Sequence, residues 1–426
     1  MKAASVPRFP RMCDVHQRFE APRVEDIAAT VHQQMVRLNL AGRVRAGQSV
    51  AVTAGSRGIA NIPVILRETL RYLKSIGAEP FVVPAMGSHG GGTVEGQLEV
   101  LRGLGVTEDS VEAPIRATMQ TVIVAETETG IPVHFDRFAH EADHVLIVGR
   151  VKPHTRFVGP IESGLHKMML IGLGKHEGAK IYHQAILSSS FPEIIQAVAA
   201  KVLQECGVIG GLAILENAVD ETALIEGVLP QDFGTREPEL LRQAVSWLPT
   251  LPFDQTDLLI IDRIGKNISG AGMDANIVGR KFNDHIAGDG DVANCHRIMI
   301  RSLTAETHGN GTGIGMAEFT TERCVAQIDM VKTRVNCITA IHPEAAMIPI
   351  TFPTDAEAVE AALQTIGMIA PENAKIIQIT DTLHLTRTRV SEAFFPLVSQ
   401  SDTLEFVGEP FDFPVDESGL LSDVPI

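Results

Sequence analysis

Short apolar runs alternate with amphipathic stretches through the N-terminal half of the chain. Continuous apolar runs predict buried strands, and apolar residues that recur every three or four positions predict helices with one buried face. The predicted strands are Ser49–Ala54, Pro80–Ala85, Thr121–Ala125 and His144–Val148. The predicted helices are Ile62–Ile76, Thr93–Leu104 and Phe191–Glu205, the last with Ser189 or Ser190 near its N-cap. This alternation predicts an α/β layer structure with a mostly parallel sheet.

A second alternating series follows Trp247–Thr256, where Pro249 and Pro252 mark a linker. Its predicted strands are Leu258–Asp262, Arg297–Leu303, Met347–Ile350 and Lys375–Ile379, and its predicted helix is Asp355–Ile366. We therefore expect two α/β domains with the active site in the interdomain cleft. Residues 1–250 would form the domain that carries the catalytic and cofactor residues. Residues 251–426 would form the other, with room for its last residues to pack back on the first.

Composition narrows the class of protein. The chain has 426 residues, 45% hydrophobic and 21% charged, which is typical of a globular protein. A net charge of −16 argues against a nucleic-acid partner, yet it allows an anionic small molecule in a local basic pocket. The five cysteines are scattered without CxxC spacing, which favours a reducing compartment. With no signal-peptide core and no apolar run near the roughly 20 residues of a membrane span, we expect a cytoplasmic protein without a membrane partner.

Two glycine-containing loops follow the first two predicted strands, at Thr53–Asn61 and Gly87–Thr93. In open α/β sheets, ligands bind at this end of the strands, and free backbone N–H groups at the helix starts favour an anion. Either loop could instead be a plain glycine-rich turn with solvent-exposed side chains. The candidate functional side chains in these loops are Arg57 and His89.

The segment from Lys152 to His183 concentrates histidines and lysines beside apolar sequence, where polar groups are costly to bury without partners. His154 follows a predicted strand and could move protons near neutral pH while neighbouring basic residues hold an anionic substrate. A lone histidine is more often structural. A zinc site built from His176 and His183 fails, because a helix would separate them by roughly 10 Å of rise. A single metal held by one of them, with other ligands from a cofactor, remains open.

The second half of the chain offers Lys266, which lies in a glycine-containing segment just past a predicted strand. Its ammonium group is a reasonable contact for a substrate carboxylate or a phosphate. The glycine-rich stretch His308–Gly315 could be a loop without a role. The chain contains neither the G-x-S-x-G elbow of serine hydrolases nor a Walker A loop.

Taken in order, these residues resemble the nickel-dependent lactate racemases and their 2-hydroxyacid racemase and epimerase homologues. The resemblance covers most of the chain and is strongest from Ser49 to His183. Its elements are an arginine after the first strand, a histidine in a glycine-rich loop, a later histidine, a lysine in a Ser-Gly-x-x-Lys context and a final histidine. In this sequence they are Arg57, His89, His154, Lys167 and His183.

The resemblance implies a nickel-pincer nucleotide as cofactor, carried covalently by Lys167 and bound through nickel by His183. It also implies that His89 and His154 are the acid/base pair and that Arg57 polarises the substrate oxygen. Further cofactor contacts would come from Ser56, Ser88, Lys152 and Gly164, and Lys266 and Arg57 would bind a small 2-hydroxy acid. Cofactor-biosynthesis enzymes would be partners, so protein made in a host without them could lack the cofactor. The oligomeric state is not indicated.

The sequence departs from the family pattern at several points, so it resembles a divergent branch. Gly90 follows His89 where the family commonly has arginine, and the spacing from Gly159 to Lys167 is longer than in the lactate enzymes. Lys175 and Lys180 are alternative lysines for covalent attachment. We expect racemisation or epimerisation of a lactate-like or sugar acid at C2. The alternatives are a simple-metal-dependent sugar-acid isomerase or dehydratase, and a non-catalytic small-acid binding protein.

Overall fold

The computed structural model describes residues 9–56, 58–186 and 189–425. The chain divides into a first unit, Glu20–Leu248, and a second unit formed by Pro249–Ile426 together with the N-terminal segment that ends at Phe19. That segment contributes strand β1 (Met12–Gln17). Both units combine a sheet with helices, so the predicted α/β class is confirmed. Among the described residues, no helix has the length and apolar character needed to cross a membrane.

The first unit is built on a sheet with strand order β3-β2-β6-β7-β8, beside a separate antiparallel hairpin of β4 and β5. Its strands are β2 (Ser49–Ala54), β3 (Glu79–Pro84), β4 (Thr121–Glu126), β5 (Pro132–Asp136), β6 (His144–Arg150), β7 (Val208–Glu216) and β8 (Thr222–Val228). Its helices are α1 (Ile27–Arg37), α2 (Ile62–Ser75), α3 (Val94–Gly103), α4 (Glu108–Val111), α5 (Arg137–Glu141), α6 (Gly164–Lys167), α7 (Lys175–Ala185), α8 (Phe191–Glu205) and α9 (Phe233–Ser246). A single π turn, Met168–Gly172, follows α6.

Both faces of this sheet are buried, which explains why its strands are continuous apolar runs. Ala51 and Ile147 pack in one core with residues of α8 and α9, and Val50 and Val52 pack in the other with residues of α1 and α2. Helix α8 begins at a capping box in which Ser190 accepts from the Glu193 N–H group, so the predicted helix start is confirmed.

The second unit contains a mixed sheet with strand order β12-β11-β10-β9-β13-β14-β1-β15. Its further strands are β9 (Gln255–Ile261), β10 (Asn294–Ile300), β11 (Phe319–Thr321), β12 (Ile350–Phe352), β13 (Ile376–Ile379), β14 (Arg387–Ser391) and β15 (Leu404–Phe411). Its helices are α10 (Ala275–Val278), α11 (Glu322–Ala326), α12 (Met330–Thr339), α13 (Asp355–Leu363) and α14 (Phe395–Val398). Strand β1 pairs antiparallel with β14 and β15, which fixes the N-terminal segment in this unit.

Three predictions from the sequence can be compared with the structure outside the site. The five cysteines are buried free thiols, in agreement with the absence of a disulfide framework. The C-terminal residues pack within the second unit, where the Val424 N–H group donates to Asp262 at 2.9 Å. The predicted strand Met347–Ile350 is wrong, since pairing begins only at Ile350. Pro349 lacks the N–H group that a ladder would need.

Candidate active site at the carboxyl ends of the parallel strands

Three loops of the first unit leave the same edge of its sheet. Strands β3, β2 and β6 run parallel, with Ala54 opposite Pro84 and Val52 opposite Leu146. The segments that follow these strands carry the candidate residues of the two glycine-containing loops and His154. Because the strands are parallel and adjacent, their carboxyl ends lie at the same edge of the sheet. The loops that follow these ends carry candidate residues that are up to about a hundred positions apart in the chain.

The first two loops touch through Ser56 and His89, because the Ser56 hydroxyl group hydrogen-bonds to Nδ1 of His89. The His89 backbone N–H group donates to the Met86 carbonyl at 3.1 Å, which shapes the turn before Gly90. A hydroxyl group can donate or accept, so this contact is compatible with both histidine tautomers. Ser88 is half-buried beside His89. Arg57, the predicted electrophile, lies outside the described residues.

His154 is held by its own loop. Its Nδ1 atom accepts hydrogen bonds from the backbone N–H groups of Arg156 and Phe157, both at 3.1 Å. A nitrogen that accepts cannot carry the proton, so the neutral ring has its proton on Nε2. The buried Glu162 carboxylate closes the loop by accepting from the N–H groups of His154 at 2.7 Å and Gly159 at 3.3 Å. Sequence reasoning missed Glu162, whose only signal was an acidic residue within a basic segment.

The Phe157 ring gathers three of the candidate residues. It stacks on the His154 ring with centroids 4.2 Å apart, and the His183 ring lies 6.4 Å away in a tilted arrangement. The ammonium nitrogen of Lys167 lies 5.9 Å from the same ring centroid. Phe191, at the start of α8, stacks on the ring at 3.9 Å. The structure thus brings His154, Lys167 and His183 around the ring of Phe157. This role of Phe157 was not predicted from the sequence.

Lys167 and His183 also interact electrostatically. Burial lowers the pKa of His183, and the nearby Lys167 ammonium group lowers that pKa further, because both disfavour the imidazolium form. His183 is therefore a neutral imidazole at neutral pH, which is the form that binds a metal ion. Helix α7 carries His183, whereas Lys167 ends α6, so the pair depends on how these two helices pack.

The turn that leads into Lys167 is built on Ser163 and Gly164. The Ser163 hydroxyl group accepts from the Lys152 N–H group at 2.7 Å and donates to the Lys152 carbonyl, which ties the turn to the end of β6. Gly164 has φ +78°, and a Cβ atom there would collide with the Glu237 carboxylate and lie 2.7 Å from Val151 Cγ2. Only glycine fits this position without strain.

Glu237, on α9, stabilises the same turn. Its Oε2 atom accepts from the His166 backbone N–H group at 3.2 Å and contacts His166 Nδ1 at 2.5 Å. Burial raises the pKa of Glu237, and the bonds from His166 oppose that rise. This buried pair fixes the residue next to Lys167 and was not found from the sequence, because its members lie 71 positions apart.

The residues after Lys167 pack against the first two loops. A Cβ atom on Gly149 would lie 2.7 Å from the Met168 side chain, and one on Gly55 would lie 3.7 Å from it. A Cβ atom on Gly87 would lie 2.9 Å from Ile171. Because glycine has no side chain, the π turn can approach both loops closely. Such turns occur frequently at functional sites.

Other predicted contacts stay predictions. Lys152 is half-buried at the end of β6, and its backbone is fixed by Ser163. Lys266 lies in the second unit, where its Nζ atom donates to the Gly270 carbonyl at 2.6 Å. Over residues 9–56, 58–186 and 189–425, no three or more His, Cys, Asp or Glu side chains are arranged to hold a metal ion.

Comparison with known proteins bears on the family and the fold. Residues 16–193 match the lactate racemase N-terminal domain family. The fold is shared with the lactate racemase apoprotein from Thermoanaerobacterium thermosaccharolyticum, at 14% identity and a TM-score of 0.51 over 86% of this chain and 94% of that one. A protein from Thermotoga maritima matches at 13% identity and a TM-score of 0.46, over 75% of this chain and 81% of its own. No curated protein matches the sequence.

Proposed function

We propose that this chain, in which residues 16–193 belong to the lactate racemase N-terminal domain family, is a racemase-type isomerase. More finely, we propose that it racemises or epimerises a small 2-hydroxy acid at C2. The observation that carries the proposal is the grouping of His154, Lys167 and His183 around Phe157. This grouping supports the proposal that His154 handles protons, that Lys167 holds the cofactor and that His183 binds the metal ion.

The residues present fit a nickel-pincer nucleotide. His183 is a neutral imidazole, which is a suitable nickel ligand, and the Lys167 amine lies close enough to influence it. When bound, the nucleotide supplies a hydride acceptor and donor for C2. We propose that Lys167 would hold the nucleotide through a covalent bond. Further contacts would come from Ser56, Ser88, Lys152 and Gly164. Of these, Gly164 removes a side chain where the turn must pass close to Glu237.

The acid and base roles fall to His89 and His154. In the tautomer implied by its two backbone hydrogen bonds, His154 carries its proton on Nε2 and can donate a hydrogen bond to the substrate oxygen. Accepting a proton at Nε2 would require the proton to move to Nδ1, with loss of both backbone hydrogen bonds. We therefore propose His89 as the first acceptor of the substrate hydroxyl proton, since the Ser56 hydroxyl group on its Nδ1 is compatible with a tautomer whose Nε2 atom is unprotonated. Arg57 would polarise the same oxygen, and Lys266 would bind the carboxylate.

Two substitutions test the ligand assignment. In protein produced together with the cofactor-biosynthesis enzymes, His183→Ala should lose bound nickel, whereas His154→Ala should keep nickel and lose turnover. Lys201→Met, on α8, is a control that should leave both unchanged. Nickel retention in His183→Ala would contradict the assignment of His183.

The fate of the C2 hydrogen tests the reaction class. Racemisation by hydride transfer should keep the original hydrogen at C2 when lactate or a sugar acid is incubated in deuterium oxide. Full deuterium incorporation at C2 would identify proton abstraction at carbon instead. Turnover supported by a simple divalent metal salt alone would favour the isomerase or dehydratase alternative. Ligand-induced thermal stabilisation without any turnover would favour the binding protein.

A further inference from the structure

Helix α7 begins with a lysine in a conformation that lysine seldom adopts. Lys175 has φ +55°, in the left-handed region, and its side chain is 0% exposed. A residue with a long side chain is an outlier at this φ. A buried ammonium group is also unfavourable unless it is fully paired. Such combined strain persists only where the surrounding contacts over-determine it.

Those contacts come from three separate elements. The Lys175 Nζ atom pairs with Asp136 Oδ2 at 2.9 Å, at the end of β5. It also donates to the Pro84 carbonyl, at the end of β3, and to Gln97 Oε1 at 3.3 Å, on α3. One ion pair and two hydrogen bonds therefore surround the buried ammonium group.

One branch of this network reaches the loop that carries His89. The buried Gln97 side chain donates from Nε2 to the Gly87 carbonyl at 3.0 Å, and the Gly87 N–H group donates to the Gly172 carbonyl at 3.3 Å. Gly87 is two residues before His89. The chain of bonds from Lys175 through Gln97 thus fixes the start of this loop.

The other branch orients the helix that carries His183. Besides the Asp136 pair near its first turn, α7 contacts β5 through the Tyr182 hydroxyl group, which accepts from the His134 N–H group at 3.2 Å. Tyr182 is buried and adjacent to His183. Helix α7 is therefore fixed against β5 near both of its ends.

We infer that Lys175 is a positioning residue, which holds the His89 loop and the His183 helix in one fixed arrangement without touching the ligand. The inference deepens the proposed function and rests on it for the consequence in catalysis. Its buried ion pair also removes Lys175 as an alternative to Lys167 for covalent attachment.

The test separates positioning from stability. Removing one member of a buried ion pair leaves an unpaired charge, whereas replacing both with uncharged groups is often neutral. The double variant Lys175→Met/Asp136→Asn removes both charges together and should therefore fold, with a lower melting temperature because the Pro84 carbonyl and the Gln97 Oε1 atom lose their donor. In the nickel-loaded enzyme, we expect kcat to fall more than tenfold, with KM little changed and nickel retained, because the Tyr182 hydroxyl group still holds α7 against β5. A second variant, Gln97→Leu, removes the hydrogen bond to Gly87 and leaves the ion pair in place. It should give the same fall in kcat, and it serves as the test if the double variant does not fold.

A second measurement needs no turnover. Hydrogen exchange followed by mass spectrometry should show faster exchange at residues 85–93 in both variants, with α2 unchanged and with no change in Lys201→Met. Unchanged exchange at residues 85–93, or a kcat within twofold of the wild type in folded, loaded protein, would overturn the inference. Faster exchange together with an inactive wild type would keep the positioning role and remove the proposed function.

Discussion

The substitution Gly164→Ala tests the local geometry around Lys167. The alanine must adopt φ +78°. Its Cβ atom would lie 2.7 Å from Val151 Cγ2 and would collide with the Glu237 carboxylate. The left-handed backbone costs about 1–2 kcal/mol for a residue with a Cβ atom. Overpacking a filled site costs about 1–3 kcal/mol. Alanine recovers about 0.4–1 kcal/mol through the unfolded chain. Together these contributions should lower the free energy of unfolding by roughly 1–5 kcal/mol, with a midpoint of about 3 kcal/mol.

Scanning calorimetry is the appropriate assay, because two units make a single two-state unfolding energy ill-defined. For a unit of this size, the melting temperature should drop by roughly 5–15 °C. Gly234→Ala is the matched control, since Gly234 lies on the same helix as Glu237 and a Cβ atom there meets nothing within 4 Å. A Gly164→Ala protein that melts within about 2 °C of the control would refute the reasoning.

Two further outcomes are expected. NMR of protein labelled with ¹⁵N-histidine should show an unprotonated Nδ1 in neutral His154, because two backbone N–H groups donate to that atom; a protonated Nδ1 would contradict the assigned tautomer. Burial raises the pKa of Tyr182 to about 12, so the unfolded chain loses its tyrosine proton first and stability should fall as pH rises above about 10. A Tyr72→Phe variant leaves Tyr182 as the reporter of absorbance at 295 nm, and normal titration near pH 10 would show that Tyr182 is not buried.

The elements predicted from the sequence were those whose pattern is local. Ser49–Ala54 is a strand buried on both faces, and Phe191–Glu205 combines a periodic apolar face with its capping residues. Thr121–Glu126 is also a strand, but it pairs with Pro132–Asp136 in a separate hairpin, a partner that single-strand patterns do not specify. Strand Met12–Gln17 escaped notice because its partners lie more than 370 positions away.

The candidate site divides in the same way. His154, Lys167 and His183 stand out because their chemistry is unusual beside apolar sequence, and His89 stands out because it lies in a glycine-containing loop after a predicted strand. Phe157, Glu162 and Glu237 act through contacts that exist only after folding. A single aromatic ring within a histidine- and lysine-rich segment was the available signal for Phe157. The Glu237 carboxylate had no signal, since its partner His166 belongs to another element.

The most direct test of the central claim is mass spectrometry with metal analysis, on protein produced together with the cofactor-biosynthesis enzymes. We predict a nickel-bearing nucleotide adduct that survives denaturation and maps to Lys167. An adduct seen only under native conditions would keep the proposed function and remove the covalent role of Lys167. Protein with neither adduct nor nickel under these conditions would contradict the claim.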